Sequence, residues 1–201
     1  MIVEKKAQSS VAIHDIISRR WSPRAFDNSK TVSRGQVMAL LEAARWAPSC
    51  FGDEPWRYLV WDRNRDPGAW QKAFECLSER NQAWVKNAPL LLASIASGQF
   101  TRNGKPNRWG QHDTGAASAN LVLQAVALGL AAHQMGGFNV DMLRERFAIP
   151  SGFTPMAMIA VGYQADVATL EGEFKERELA TRTRRPLGEK FFEGNWGVPV
   201  A

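Results

Sequence analysis

The chain has 201 residues, 45% hydrophobic and 22% charged, which excludes a disordered or fibrous polypeptide and allows one domain (1–201) with a substantial core. Its formal net charge of +5 permits an anionic partner, but the lysines and arginines are dispersed, without the dense basic block of a nucleic-acid tail; no nucleic-acid partner is expected. Cys50 and Cys76 form neither a disulfide framework nor a metal-ligand spacing, Met1 to Lys6 lacks the apolar core of a secretory signal, and the apolar stretch 88–96 is too short for a bilayer; a reducing, cytoplasmic location and no membrane partner are expected.

Val11, Ile13, Ile16 and Ile17 fall at mixed helical spacing, so residues 10–19 read as a short helix, after which Pro23 imposes extended backbone at Ser22. Ser33 and Gln36 form a capping-box pattern ahead of Val37, Leu40, Leu41 and Ala44, a helix that ends before Pro48. Residues 56–61 read as a strand, 68–79 as a helix with a further turn at 82–86, and 90–96 as a buried strand. The polar stretch 98–111 reads as a loop, and a loop of that length is more often functional than accidental. A long helix is expected over 113–130, its first turn capped by Asp113, followed by a short helix at 140–147, a strand at 156–163 and an exposed charged helix at 171–181. This alternation, with too few strands for a doubly wound sheet, points to the α+β class.

Two arginine clusters stand at opposite ends: Arg20-Trp21-Ser22-Pro23-Arg24 and Arg182-Thr183-Arg184-Arg185. A guanidinium offers paired donors in a planar fork and keeps its charge at ordinary pH, so two such clusters brought together would hold a phosphate. Taken alone, either cluster reads as solvated surface pairs. Between them lie Ala47-Pro48-Ser49-Cys50-Phe51-Gly52-Asp53-Glu54-Pro55-Trp56 and Gln134-Met135-Gly136-Gly137-Phe138. A glycine pair lets backbone approach a planar ligand, although after a helix it is also ordinary punctuation.

In this order and spacing the motifs resemble the nitroreductase family, flavoenzymes that hold FMN between two subunits. The resemblance runs from Ile16 to Leu187. It implies a central mixed β-sheet flanked by helices and an intertwined homodimer, with the long helix contributing to the subunit interface. It assigns Arg20, Arg182 and Arg184 to the FMN phosphate, with Trp21 and Ser22 beside the flavin. Arg24 falls at the N1/C2 edge of the ring, where a fixed cation favours the charge that arrives on reduction. Pro48, Ser49 and Cys50 would line the flavin from the neighbouring subunit, Asn81 would meet its pyrimidine edge, and Met135, Gly136 and Gly137 would bring a backbone N–H to N5. Trp21, Gly52 and Glu54 depart from the residues common in the family at those places. The implied reaction is ping-pong reduction of small electron-poor acceptors, nitroaromatics or quinones, by NADH or NADPH. Phe51, Phe100 and Trp109 are the aromatic candidates for the substrate side. No side chain is assigned a catalytic proton transfer, because the flavin carries the chemistry. Alternatives are a flavin carrier or sensor, or an offshoot with reductive dehalogenation or flavin fragmentation.

No Gly-x-Gly-x-x-Gly fingerprint or serine-hydrolase elbow is present, and His14, His112 and His133 lie in no metal-binding pattern, so no metal is expected. His133 reads as structural, and Cys50 as an inert thiol.

Overall fold

The structure, a computed structural model, describes residues 1–200. Four strands form one sheet in the order β1-β2-β4-β3: β1 Trp56–Asp62, β2 Leu90–Ser97, β3 Ala131–Met135 and β4 Phe153–Gly162. Every pairing is antiparallel, so the expected mixed sheet is corrected among the described residues, while the α+β class stands. The helices are α1 Asp15–Arg19, α2 Arg34–Arg45, α3 Pro67–Phe74, α4 Glu79–Val85, α5 Gly110–Ala127, α6 Val140–Arg146 and α7 Gly172–Leu179.

The two central strands read as continuous apolar runs because both sheet faces are covered. On β2, Leu91, Ala93 and Ile95 enter a core with Trp61, Trp70, Trp84 and Leu143, and Leu90 and Leu92 enter the opposite one with Val37, Leu40, Leu121 and Ala125. Strand β4 divides the same way, Met158 and Ala160 against Ile159 and Val161. The two-residue period of a strand thus sends alternate side chains into different helical layers. Helices α2 and α5 cover one face; α3, α4 and α6 supply the other.

The expected capping box is present: Ser33 Oγ accepts from Gln36 N–H at 3.2 Å, and Gln36 Oε1 accepts from Ser33 N–H at 2.9 Å. Asp113, by contrast, does not cap α5. The helix starts at Gly110, and Asp113 lies buried in its first turn. Strand β3 has no counterpart in the sequence reading. It follows Gly129, whose φ of +71° ends the long helix, and as an edge strand carrying His133 and Gln134 it has no apolar run to announce it.

Candidate functional site

Pro23 holds the segment after α1 extended, and the chain returns here after α7, so the two arginine clusters meet. Arg20, Trp21, Ser22 and Arg24 share a cavity of about 340 Å³ with Arg182 and Arg184. One Arg182 Nη donates to the carbonyl of Arg20 and the other to that of Ser18 at 3.0 Å, so this side chain ties the C-terminal segment to the end of α1. Arg20 donates to Ser22 Oγ at 3.4 Å, and among the described residues the Arg184 side chain bonds only its neighbour's carbonyl, that of Thr183, at 2.8 Å. Arg185 pairs with Glu189 instead.

None of Arg20, Arg24, Arg182 and Arg184 has a carboxylate within ion-pair distance among the described residues. Burial and then the neighbouring Arg182 and Arg184 push the Arg20 guanidinium below its ordinary pKa; burial and then Arg184 do the same to Arg182. Arginines stay protonated despite such shifts, so the cavity holds a concentrated positive charge, offset on its Arg24 side by the buried Glu178 but not around Arg20, Arg182 and Arg184. That is the electrostatic condition of an anion site.

One acidic residue was missed. Glu178, in the last turn of α7, is fully buried and accepts the N–H of Arg24 at 3.0 Å and of Ala25 at 3.2 Å. The helix is otherwise largely exposed, as expected, but Phe174 packs on the core and Glu178 lies one turn on, on the same face. That four-residue spacing was the available signal.

The glycine pair follows β3, not the long helix. Asn81, on α4, donates its side-chain amide to the Gly137 carbonyl at 2.9 Å, and Ser78 N–H donates to the same oxygen at 3.0 Å. Asn81 and Gly137 are therefore one local cluster. His133 stacks against Trp84 with ring centroids 4.6 Å apart, and its Nδ1 lies 2.9 Å from the Pro23 carbonyl oxygen. Burial pushes its pKa down to about 4, keeping it neutral and structural. Met135 is buried.

Pro48 and Ser49 line a second hollow with Trp46, Gly52 and Glu54, and no residue of the arginine cavity lines it. The chain here is held in an unusual turn, with Phe51 at φ 59° and Glu54 at φ 49°. Ser49 Oγ accepts Glu54 N–H at 3.0 Å, and Asp113 accepts Cys50 N–H at 2.9 Å. Phe51 is 71% exposed and meets Phe100 edge-on at 5.9 Å, with the Arg102 guanidinium 3.8 Å above the Phe51 ring. Trp109 instead carries Arg108 over its ring at 4.5 Å and meets His112 edge-on with ring centroids 6.3 Å apart. No metal-holding group of His, Cys, Asp and Glu occurs among the described residues, and no helix among them is long and apolar enough to cross a membrane.

The sequence model of the Nitroreductase family matches residues 17–163. A solved structure described as an oxidoreductase containing FMN is 35% identical, covers 98% of this chain and 100% of its own, and superposes with a TM-score of 0.90. A 15.4 kDa Mycolicibacterium smegmatis protein from the ask 5′ region is 37% identical over 55% of this chain and 73% of the relative. The major NAD(P)H-flavin oxidoreductase of Aliivibrio fischeri is 22% identical over 75% of this chain and 86% of the relative. The chain belongs to the nitroreductase family.

Proposed function

We propose that residues 1–201 form one FMN-binding unit that reduces small electron-poor acceptors, nitroaromatics or quinones, at the expense of NADH or NADPH by a ping-pong route. By class the chain is an NAD(P)H-dependent oxidoreductase with FMN as its cofactor. The observation that carries the reading is the convergence of Arg20, Arg182 and Arg184, unpaired with carboxylates, on one cavity of about 340 Å³.

The donor set fits a phosphate. A guanidinium has five N–H donors, and Arg182 spends two on backbone carbonyls, leaving the rest for an anion. Arg184 projects from an exposed segment with its charge uncompensated. Ser22 accepts from Arg20 and keeps its own hydroxyl proton to donate. Trp21 contributes through its backbone beside the ring. Arg24, half-buried and with no side-chain hydrogen bond among the described residues, is free to meet the pyrimidine edge. Asn81 fixes Gly137, so that Met135, Gly136 and Gly137 present backbone to the ring. Bound FMN supplies two-electron transfer between the nicotinamide and the acceptor.

Pro48 and Ser49 line a separate hollow of this chain, with Cys50 next along the same turn, which supports a reading in which the three complete the site of a second copy in a homodimer. Phe51, exposed above that turn, and half-buried Phe100, already in contact with it, suit a planar acceptor, and Trp109 borders the same loop. A cytoplasmic location goes with this reading. An anaerobic titration of the FMN-reconstituted protein with each nicotinamide nucleotide tests it. Rapid bleaching of the flavin, reversed by a nitroaromatic or quinone, is expected. Bound flavin that neither nucleotide bleaches would leave a carrier, and no flavin binding would overturn the reading.

A further inference from the structure

Burying a carboxylate is costly unless hydrogen bonds replace its water. Glu178 meets that condition with backbone donors alone, the successive N–H groups of Arg24 and Ala25. It has no ion-pair partner within 4.0 Å among the described residues; the charges that face it are Lys5 and Arg24. Lys5 Nζ is itself committed, donating to the Arg177 carbonyl at 2.9 Å and lying 4.7 Å from the Trp21 ring centroid. The arrangement pins the backbone of Arg24 while leaving its guanidinium unbonded at the cavity. It also links the two ends of the chain a second time, just inside the Arg182 contact to Arg20.

We propose that Glu178 is a positioning residue for the flavin site: its buried carboxylate clamps the Arg24–Ala25 backbone and thereby aims the Arg24 guanidinium at the bound ligand. This rests on the FMN reading for the identity of that ligand. The clamp itself is a property of the ligand-free protein. Its chemistry is specific, because Oε1 accepts from both amides while Oε2 also accepts from that of Arg24; a glutamine can keep its carbonyl oxygen at the first place but then sets an NH₂ against the Arg24 N–H.

A double-mutant cycle separates positioning from mere structural support. FMN affinity is measured by fluorescence titration for the wild type, Glu178→Gln, Arg24→Ala and the double variant. Glu178→Gln is expected to weaken FMN binding about tenfold in the wild-type background, the scale of one charged hydrogen bond, and to change it little where Arg24 is already alanine. Equal losses in both backgrounds would overturn the proposal, because a structural defect does not depend on the Arg24 side chain. If Glu178→Gln does not fold, Glu178→Asp, which keeps the charge but withdraws it by one methylene, takes its place in the cycle. Amide hydrogen exchange at Arg24 and Ala25 reads the clamp without flavin. Exchange in the variant should quicken at these two positions, and unchanged exchange would overturn the clamp even if FMN binds. A wild type that binds no FMN would instead sink the flavin reading, leaving the exchange result to decide the clamp.

Discussion

Asp113 and Cys50, 63 residues apart, are joined by a 2.9 Å hydrogen bond from the Cys50 amide to a carboxylate oxygen that is itself buried at the start of α5. The other oxygen lies 3.0 Å from His112 Nδ1. One acidic side chain therefore sits favourably in the first turn of a helix and anchors the strained 49–54 turn to it. Asp113→Ala is expected to cost about 1–3 kcal/mol, the penalty of an abandoned polar group. It should also loosen the turn. Thiol modification of Cys50 should then accelerate while that of buried Cys76 does not, and equal rates in wild type and variant would show that the turn holds without the anchor.

His133 makes stability depend on acid. Its folded pKa is lowered to about 4 from an ordinary 6.5, chiefly by burial. Between those values the unfolded chain binds a proton that the folded one refuses, so stability falls as pH drops through that window and is unaffected above it. The full effect is up to about 3 kcal/mol for a shift of this size. Carboxylates titrate in the same range, so the comparison is with His133→Gln. Urea midpoints at pH 7 and pH 4.5 should move further apart in the wild type than in the variant. Parallel midpoints would mean that the histidine titrates normally.

Much of this was legible in the sequence, and the misses share a cause. Strands β2 and β4 announce themselves because burial on both faces leaves mostly apolar residues, and the capping box at Ser33 and Gln36 is local chemistry. Arg20, Ser22, Arg24, Arg182 and Arg184 do come together, since the pattern of the motifs encoded a meeting that no local signal could. Strand β3 was invisible because its pairing with β4 overrides the indifferent propensity of Ala131 to Met135. Asp113 read as a cap because its bond to Cys50 is long-range. Glu178 was hidden in a charged helix for the same reason: its partners are 154 and 153 residues away.

The glycine pair can be divided by experiment. A Cβ on Gly136 meets nothing within 4 Å, whereas one on Gly137 would lie 2.7 Å from Asn81 Nδ2 and 3.0 Å from Ser78 Oγ. Gly137→Ala must therefore displace the Asn81 amide from its bond and should lower stability by about 1 kcal/mol. Gly136→Ala should melt like the wild type. If backbone here approaches the flavin, Gly136→Ala will nonetheless bind FMN more weakly, and a variant normal in both melting and FMN affinity would remove Gly136 from the site.

Arg182 and Arg184 carry the same charge but hold different positions, and substitution by lysine should separate them. Arg182 spans two carbonyls, those of Arg20 and Ser18, a geometry that a single ammonium cannot reproduce. Arg184 reaches only the Thr183 carbonyl and is exposed. Arg182→Lys should thus cost about 1–2 kcal/mol of stability by freeing the end of α1, and weaken FMN binding although net charge is unchanged. Arg184→Lys should keep the melting temperature and most of the affinity, because a lysine there still supplies charge to a phosphate. Thermal melts with and without FMN distinguish the two. Equal behaviour would mean that the site recognises positive charge alone, and that the brace from Arg182 to α1 contributes nothing to shaping it.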